Sequence, residues 1–263
     1  MKKRVKPLNA ERARARAHSD LFSREGDNGL FGMPFDEISP RLQVSISERA
    51  KRMGLRLDPR KRVVHLVVPK RGSMRAAYLF AEENKDWIRE KLRDLPRAVP
   101  FKNGETLPIL GRDRKIIVLF NEDMKHTDII LKRDELLVLT NKADPSVRIR
   151  RFLMDLAHEK LSEMALEKAS LVRRKIDEIV VKDTRSRWGS CSEEGRLSFS
   201  WRLIFAPVKA FDYVVAHEVA HLVHMDHSDN FWRVCERLSR DYNEGKDWMG
   251  LYGHDLMRFG PSN

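Results

Sequence analysis

Residues 212 to 222 read D-Y-V-V-A-H-E-V-A-H-L, and their spacing decides how the rest of the chain is read. Val214, Val215, Val219, Ala220 and Leu222 are apolar around much of a helix. The segment therefore predicts a largely buried α-helix, running from Pro207 at a first helical position to about His224. His217 and His221 project from one face, about 40° apart around the axis and ~6 Å along it. Two imidazoles so placed can converge on one ion. Glu218 points about 100° away from His217, near enough to serve a water at that ion without taking a ligand position. Incidental histidines on an amphipathic helix are the plain alternative. Two imidazoles and a carboxylate on a buried helix need partners, however, and a metal ion supplies them. Neutral imidazole suits Zn²⁺. A zinc-bound water has its pKa lowered to roughly 7, so Glu218 could take its proton and later deliver it to a leaving group. The expectation is one zinc ion and hydrolysis.

A hydrolytic zinc needs a third protein ligand and an open fourth position. His224 lies on the same helical face, but about 10 Å along the axis from His217. Three ligands stacked along one helix would reach the ion from nearly one direction. His227 lies beyond Met225-Asp226, where the chain can turn back, and a ligand entering from a turn closes the coordination better. His227 is therefore favoured, with His224 as a flank or substrate contact. Ser228 can cap a following helix through Arg240, carrying Phe231, Trp232, Val234 and Leu238.

Working upstream, residues 196 to 203 alternate: Leu197, Phe199, Trp201 and Leu203 share one face, which reads as a strand. Ile179 to Val181 reads as a shorter one. Between them, residues 183 to 192 read D-T-R-S-R-W-G-S-C-S. Trp188-Gly189 suggests a close approach of backbone and ring. Arg185 and Arg187 could bind an anionic group or polarise a carbonyl, or merely pair with Asp183, Glu193 or Glu194. Cys191 reads as a structural thiol. Ser146 to Ala169 has helical spacing, with Arg148, Arg150 and Arg151 on a solvated face.

The N-terminal half reads differently. Strands are expected at residues 42 to 47, 55 to 57, 63 to 68, 115 to 120, 128 to 131 and 135 to 139. One helix is expected over residues 74 to 92, and a loop over residues 104 to 111. The expected organisation is a basic, disordered arm and loop over residues 1–36, a β-rich subdomain over 37–143, and a hydrolase core over 144–263. The arm holds seven Lys or Arg and one acid, Glu11, in its first sixteen residues.

The chain has 263 residues, a formal charge of +12 and two cysteines, Cys191 and Cys235. Two cysteines exclude a disulfide framework and suit a reducing compartment, so a cytoplasmic location is expected. No apolar run approaches the ~18 residues of a membrane span. The basic balance points to polyanions such as nucleotides or nucleic acid as partners, or to nothing beyond a solvated surface.

Taken together, R-W-G-S-C-S (187 to 192), G-R-L-S-F-S-W-R-L (195 to 203), Ala206-Pro207, the helix from Asp212 to Leu222, His227-Ser228 and Phe231-Trp232 resemble the YgjP-like family of zinc metallopeptidases. The likeness to SprT-type and minigluzincin-like proteases is weaker. Residues 86 to 92 and 104 to 112 extend the resemblance, which covers roughly residues 40 to 255. It implies an α+β fold in which a mainly β half with one packed helix precedes a helical, zincin-like core with a short sheet and the HExxH helix. It implies His217, His221 and His227 as ligands and Glu218 as acid and base. It also implies that the strand at 196 to 203 pairs with an extended peptide or protein substrate. Ser200 stands where a family Asn is expected, leaving no side-chain amide there. A metallopeptidase is thus expected first. A metal-dependent hydrolase of a nucleotide phosphoanhydride comes second, and a nucleic-acid-associated zinc protein third.

Overall fold

The computed structural model describes residues 33–184 and 187–260. Most of the basic arm, and Arg185, lie outside the described residues. The chain forms two compact units, Met1–Leu95 and Pro96–Asn263.

In the first unit a short helix, α1 (Phe35–Ile38), precedes strands β1 (Leu42–Ser47), β2 (Gly54–Asp58) and β3 (Val63–Pro69). The strand order is β1-β3-β2, with β1 parallel and β2 antiparallel to β3. Val64, Leu66 and Val68 alternate along β3 and are fully buried. They pack with Phe35, Ile38, Ala77, Phe80, Ile88 and others into one core. Two helices cover this sheet where the periodicity suggests one: α2 (Met74–Glu83) and α3 (Lys85–Arg93). The break is at Asn84, whose side-chain amide donates to the Phe80 carbonyl at 2.7 Å. A short polar side chain thereby competes for a carbonyl of the helix.

The second unit contains a four-stranded sheet of order β4-β5-β7-β6 and a three-stranded sheet described below. Its strands are β4 (Thr106–Ile109), β5 (Arg112–Phe120), β6 (Asp128–Leu131) and β7 (Glu135–Thr140). Residues 104 to 111 are therefore not all loop. Leu110 and Gly111 both have positive φ, 51° and 73°, and form the two-residue turn joining β4 to β5. The long helix α4 (Ser146–Leu171) buries Ile149, Leu153, Ala157, Leu161, Ala165 and Ala169, one every fourth residue. That stripe shares a single core with Leu107, Ile109, Ile116, Leu136 and Val138 of the sheet. The chain accordingly divides at Leu95/Pro96 rather than at 143/144: these strands serve the same core as the helices that follow. The architecture is α+β.

Next come β8 (Glu178–Lys182), β9 (Gly189–Cys191) and β10 (Arg196–Ser200), in the order β8-β10-β9. The alternating stretch ends early as a strand, and residues Trp201–Phe205 form a 3₁₀ turn. Every residue of that turn is buried, including Arg202, which is 0% exposed. Its guanidinium donates to the Phe259 carbonyl, pairs with Asp183 and packs over Trp201 at 4.9 Å. Arg150, read from sequence as solvated, also pairs with Asp183. The remaining helices are α5 (Val208–Ala220), α6 (Asp229–Leu238) and α7 (Tyr242–Tyr252). Among the described residues, no helix is long and apolar enough to cross a membrane.

Candidate metal centre

Helix α5 carries the site through the middle of the second unit. Val214, Val215, Ala216, Val219 and Ala220 are buried against its neighbours. Its placement is tied down by Lys168 of α4. That buried ammonium lies 2.6 Å from the Asp212 carboxylate and donates to the Leu238 carbonyl at 2.5 Å, joining α4, α5 and the end of α6. Gly245 lets α7 lie flush on α5, since a Cβ there would come within 2.6 Å of Tyr213 Cβ.

The helix stops at Ala220, earlier than its periodicity suggests, and His221 is its C-terminal cap. The backbone then tightens: Val223 and His224 both donate to the Ala220 carbonyl. His221 Nδ1 faces the His224 carbonyl at 3.1 Å. Donation there leaves Nε2 to face the cluster. The Ser228 hydroxyl donates to Asp226 at 2.8 Å instead of capping α6, which differs from the sequence expectation. The reversed chain brings His227 back to α5, with its Nε2 3.2 Å from Nε2 of His217.

His217, His221 and His227 thus converge, with their ligand atoms all within 4.8 Å of one another. Such a triad can hold a metal ion. The fully buried Phe231 lies under all three imidazoles, with ring centroids at 5.0, 4.5 and 4.8 Å. The apolar floor disfavours charged imidazole. Burial, then the neighbouring His221, His227 and Lys246, push His217 down to about 4. Burial also lowers His221. Both rings are therefore neutral near pH 7, the form a metal requires. The His224 side chain is outside the triad and contributes its backbone carbonyl.

Glu218 points away from the triad's apolar floor, toward β9. It is 6% exposed, and burial pushes its carboxyl up to about 8, against the opposing pull of Arg187. Gly189 is what makes room for it. A Cβ at 189 would stand 2.5 Å from Glu218 Cγ and Oε1 and 2.7 Å from Cδ. Trp188-Gly189 makes two close approaches: the Gly189 backbone meets Glu218, and the Trp188 ring lies against Gly253, where a Cβ would stand 3.1 Å from its Nε1. Cys191, two residues on, is outside the histidine cluster, and burial and Glu218 push its thiol up to about 11.

His217, Glu218, Trp188, Gly189, Tyr213 and Lys246 are among the residues lining one open cleft of about 370 Å³. Arg187 is exposed beside it. Tyr213 was open to detection from sequence, being four residues before His217 on the same face. Lys246 had no such signal. The strand expected to receive a substrate, β10, is not free to do so. It is the central strand, parallel to β8 and antiparallel to β9. The strand beside Glu218 is the edge strand β9.

A family model described as YgjP-like, metallopeptidase domain, matches residues 51–251. No curated protein is matched. Among solved structures, the crystal structure of the metallopeptidase zymogen of Pyrococcus abyssi abylysin is similar at 17% identity, with a TM-score of 0.31. The match covers 35% of this chain and 94% of that one.

Proposed function

The chain belongs to the YgjP-like metallopeptidase family, and on that premise we propose that it is a zinc-dependent peptidase with His217, His221 and His227 as ligands and Glu218 as acid and base. The observation that carries this reading is the convergence of three imidazoles, one of which, His217, shares an open cleft with a buried carboxyl, Glu218. The donor set suits the ion. Tetrahedral zinc with Zn–N bonds of 2.0–2.1 Å sets its nitrogen ligands about 3.3 Å apart, and the two Nε2 atoms of His217 and His227 are 3.2 Å apart. Zinc bound there would polarise the scissile carbonyl and acidify a nearby water.

The chain's own residues supply the rest. The charge of an ion at the triad would favour the ionised form of Glu218. In that form Glu218 takes the proton of the attacking water and passes it to the departing amine nitrogen, so the carboxylate is regenerated in each turnover. Gly189 leaves that carboxyl its place by carrying no side chain of its own. Edge strand β9 presents its side away from β10 to an extended peptide, the role first expected of β10. Arg187 and Tyr213 flank the cleft, and either can stabilise charge developing on the carbonyl oxygen.

Zinc content and turnover of a peptide panel, with nucleotides as the comparison arm, test the proposal. Glu218→Gln should keep its zinc and lose peptide turnover by about 10²–10⁴-fold. Unchanged turnover in that variant refutes the mechanism. Hydrolysis of nucleotides alone replaces the peptide with a phosphoanhydride.

A polyanion partner has a separate observation behind it. Residues 1–95 hold 23 Lys or Arg against 13 Asp or Glu, which is +10 of the chain's +12. Nucleic acid should therefore bind this unit in a salt-dependent way. Absence of binding at low salt removes that partner.

A further inference from the structure

Lys246 is placed in the cleft by packing that has no need of its charge. Gly245 seats α7 on α5, and the next residue reaches the wall that also holds His217 and Glu218. The ammonium lies 4.5 Å from the centroid of the Trp232 ring and 5.4 Å from that of Tyr242. Trp232 in turn lies 5.7 Å from His217 and 5.6 Å from His227, ring to ring. One of the three N–H donors goes to the Tyr242 hydroxyl at 3.2 Å.

Other lysines on this helix bundle have acidic partners: Lys168 has Asp212 and Lys209 has Glu244. Among the described residues, no carboxylate lies within ion-pair distance of Lys246. The aromatic faces hold the ammonium in position, yet aromatic faces neutralise no charge and leave donors to spare. A cation set beside a triad that would hold a second, divalent cation is a repulsive arrangement unless an anion lies between them. The cleft's other charged lining residue, Glu218, is turned toward Gly189.

We propose that Lys246 is a specificity residue that binds a carboxylate of the substrate next to the bond that is cut. Two sources offer that group: a free peptide C-terminus and an acidic side chain. The inference rests on the metallopeptidase reading of the site.

Benzylsuccinate is a suitable probe, having one carboxylate for the metal and a second for the ammonium. 4-Phenylbutyrate is its counterpart with a single carboxylate. Calorimetric titration of zinc-loaded protein should show benzylsuccinate binding about tenfold more tightly. Lys246→Met should abolish that ratio, and Lys246→Arg should keep most of it. With peptides that are hydrolysed, matched pairs separate the sources. A free C-terminus against its amide reads one, and Glu against Gln beside the cleavage site reads the other. In the pair that matters, the acid should have the lower KM and lose its advantage in Lys246→Met. Zinc-loaded protein that binds both probes alike, or a Lys246→Met variant that keeps the ratio, overturns this inference alone. Protein that takes up no zinc overturns the metallopeptidase reading and this inference with it.

Discussion

Gly189→Ala should disable the site without touching a ligand. The three atoms nearest a Cβ at 189 all belong to Glu218, at 2.5, 2.5 and 2.7 Å. Ordinary carbon contacts begin near 3.5 Å, so the Glu218 side chain must retreat by about 1 Å. At 6% exposure it has little room to do so freely. Overpacking of this kind costs about 1–3 kcal/mol, or about 2–4 °C in Tm per kcal/mol for a unit of this size. A carboxylate misplaced by ~1 Å loses turnover by about 100-fold. Zinc content should be unchanged, since none of the three histidines approaches Gly189 as Glu218 does. A double-mutant cycle isolates the contact. In the Glu218→Ala background, Gly189→Ala should cost nothing measurable, because the atoms it would strike are gone. Thermal melts of the four proteins and peptide turnover of the two that retain Glu218 give the answer. Equal destabilisation in both backgrounds, or wild-type turnover in Gly189→Ala, refutes the reasoning.

His227→Ala should weaken zinc binding by more than about 100-fold, whereas His224→Ala should retain the ion, because only the backbone of His224 contacts the cluster; equilibrium dialysis distinguishes them. Lys168→Met strands the Asp212 carboxylate in a largely buried site, at a cost of about 3 kcal/mol or more, and denaturant unfolding should show it. Cys191 and Cys235 should alkylate slowly at pH 8, since their thiols are pushed up to about 11 and about 12. The thiolate fraction of Cys191 is then on the order of 10⁻³, and rapid labelling of the folded protein by iodoacetamide would contradict this.

The α5 helix and its histidines were legible because a period of 3.6 and a motif of five residues are local properties. The place of His227 beside the other two histidines was legible because three ligands stacked on one helix are disfavoured and because the family resemblance pointed to the same residue. What escaped the sequence depends on distant partners. β9 has three residues, too few to show alternation, and exists because β10 lies beside it. Helix α7 contains Gly245, which weakens any helical pattern yet is the residue that brings the helix onto α5. Asn84 divides a helical pattern by a hydrogen bond that spacing does not reveal. Arg150 reads as a surface charge, but Asp183, far along the chain, pairs with it.

The turn after α5 sets two things at once. Its backbone orients His221 through the His224 carbonyl, and its reversal delivers His227. Inserting or deleting one residue between 221 and 227 would therefore disturb both imidazoles in one step. Side chains within the turn can change while its length cannot. A survey of natural variants of this chain should find substitutions at 222 to 226 with the six-residue offset from His221 to His227 retained wherever the metal is.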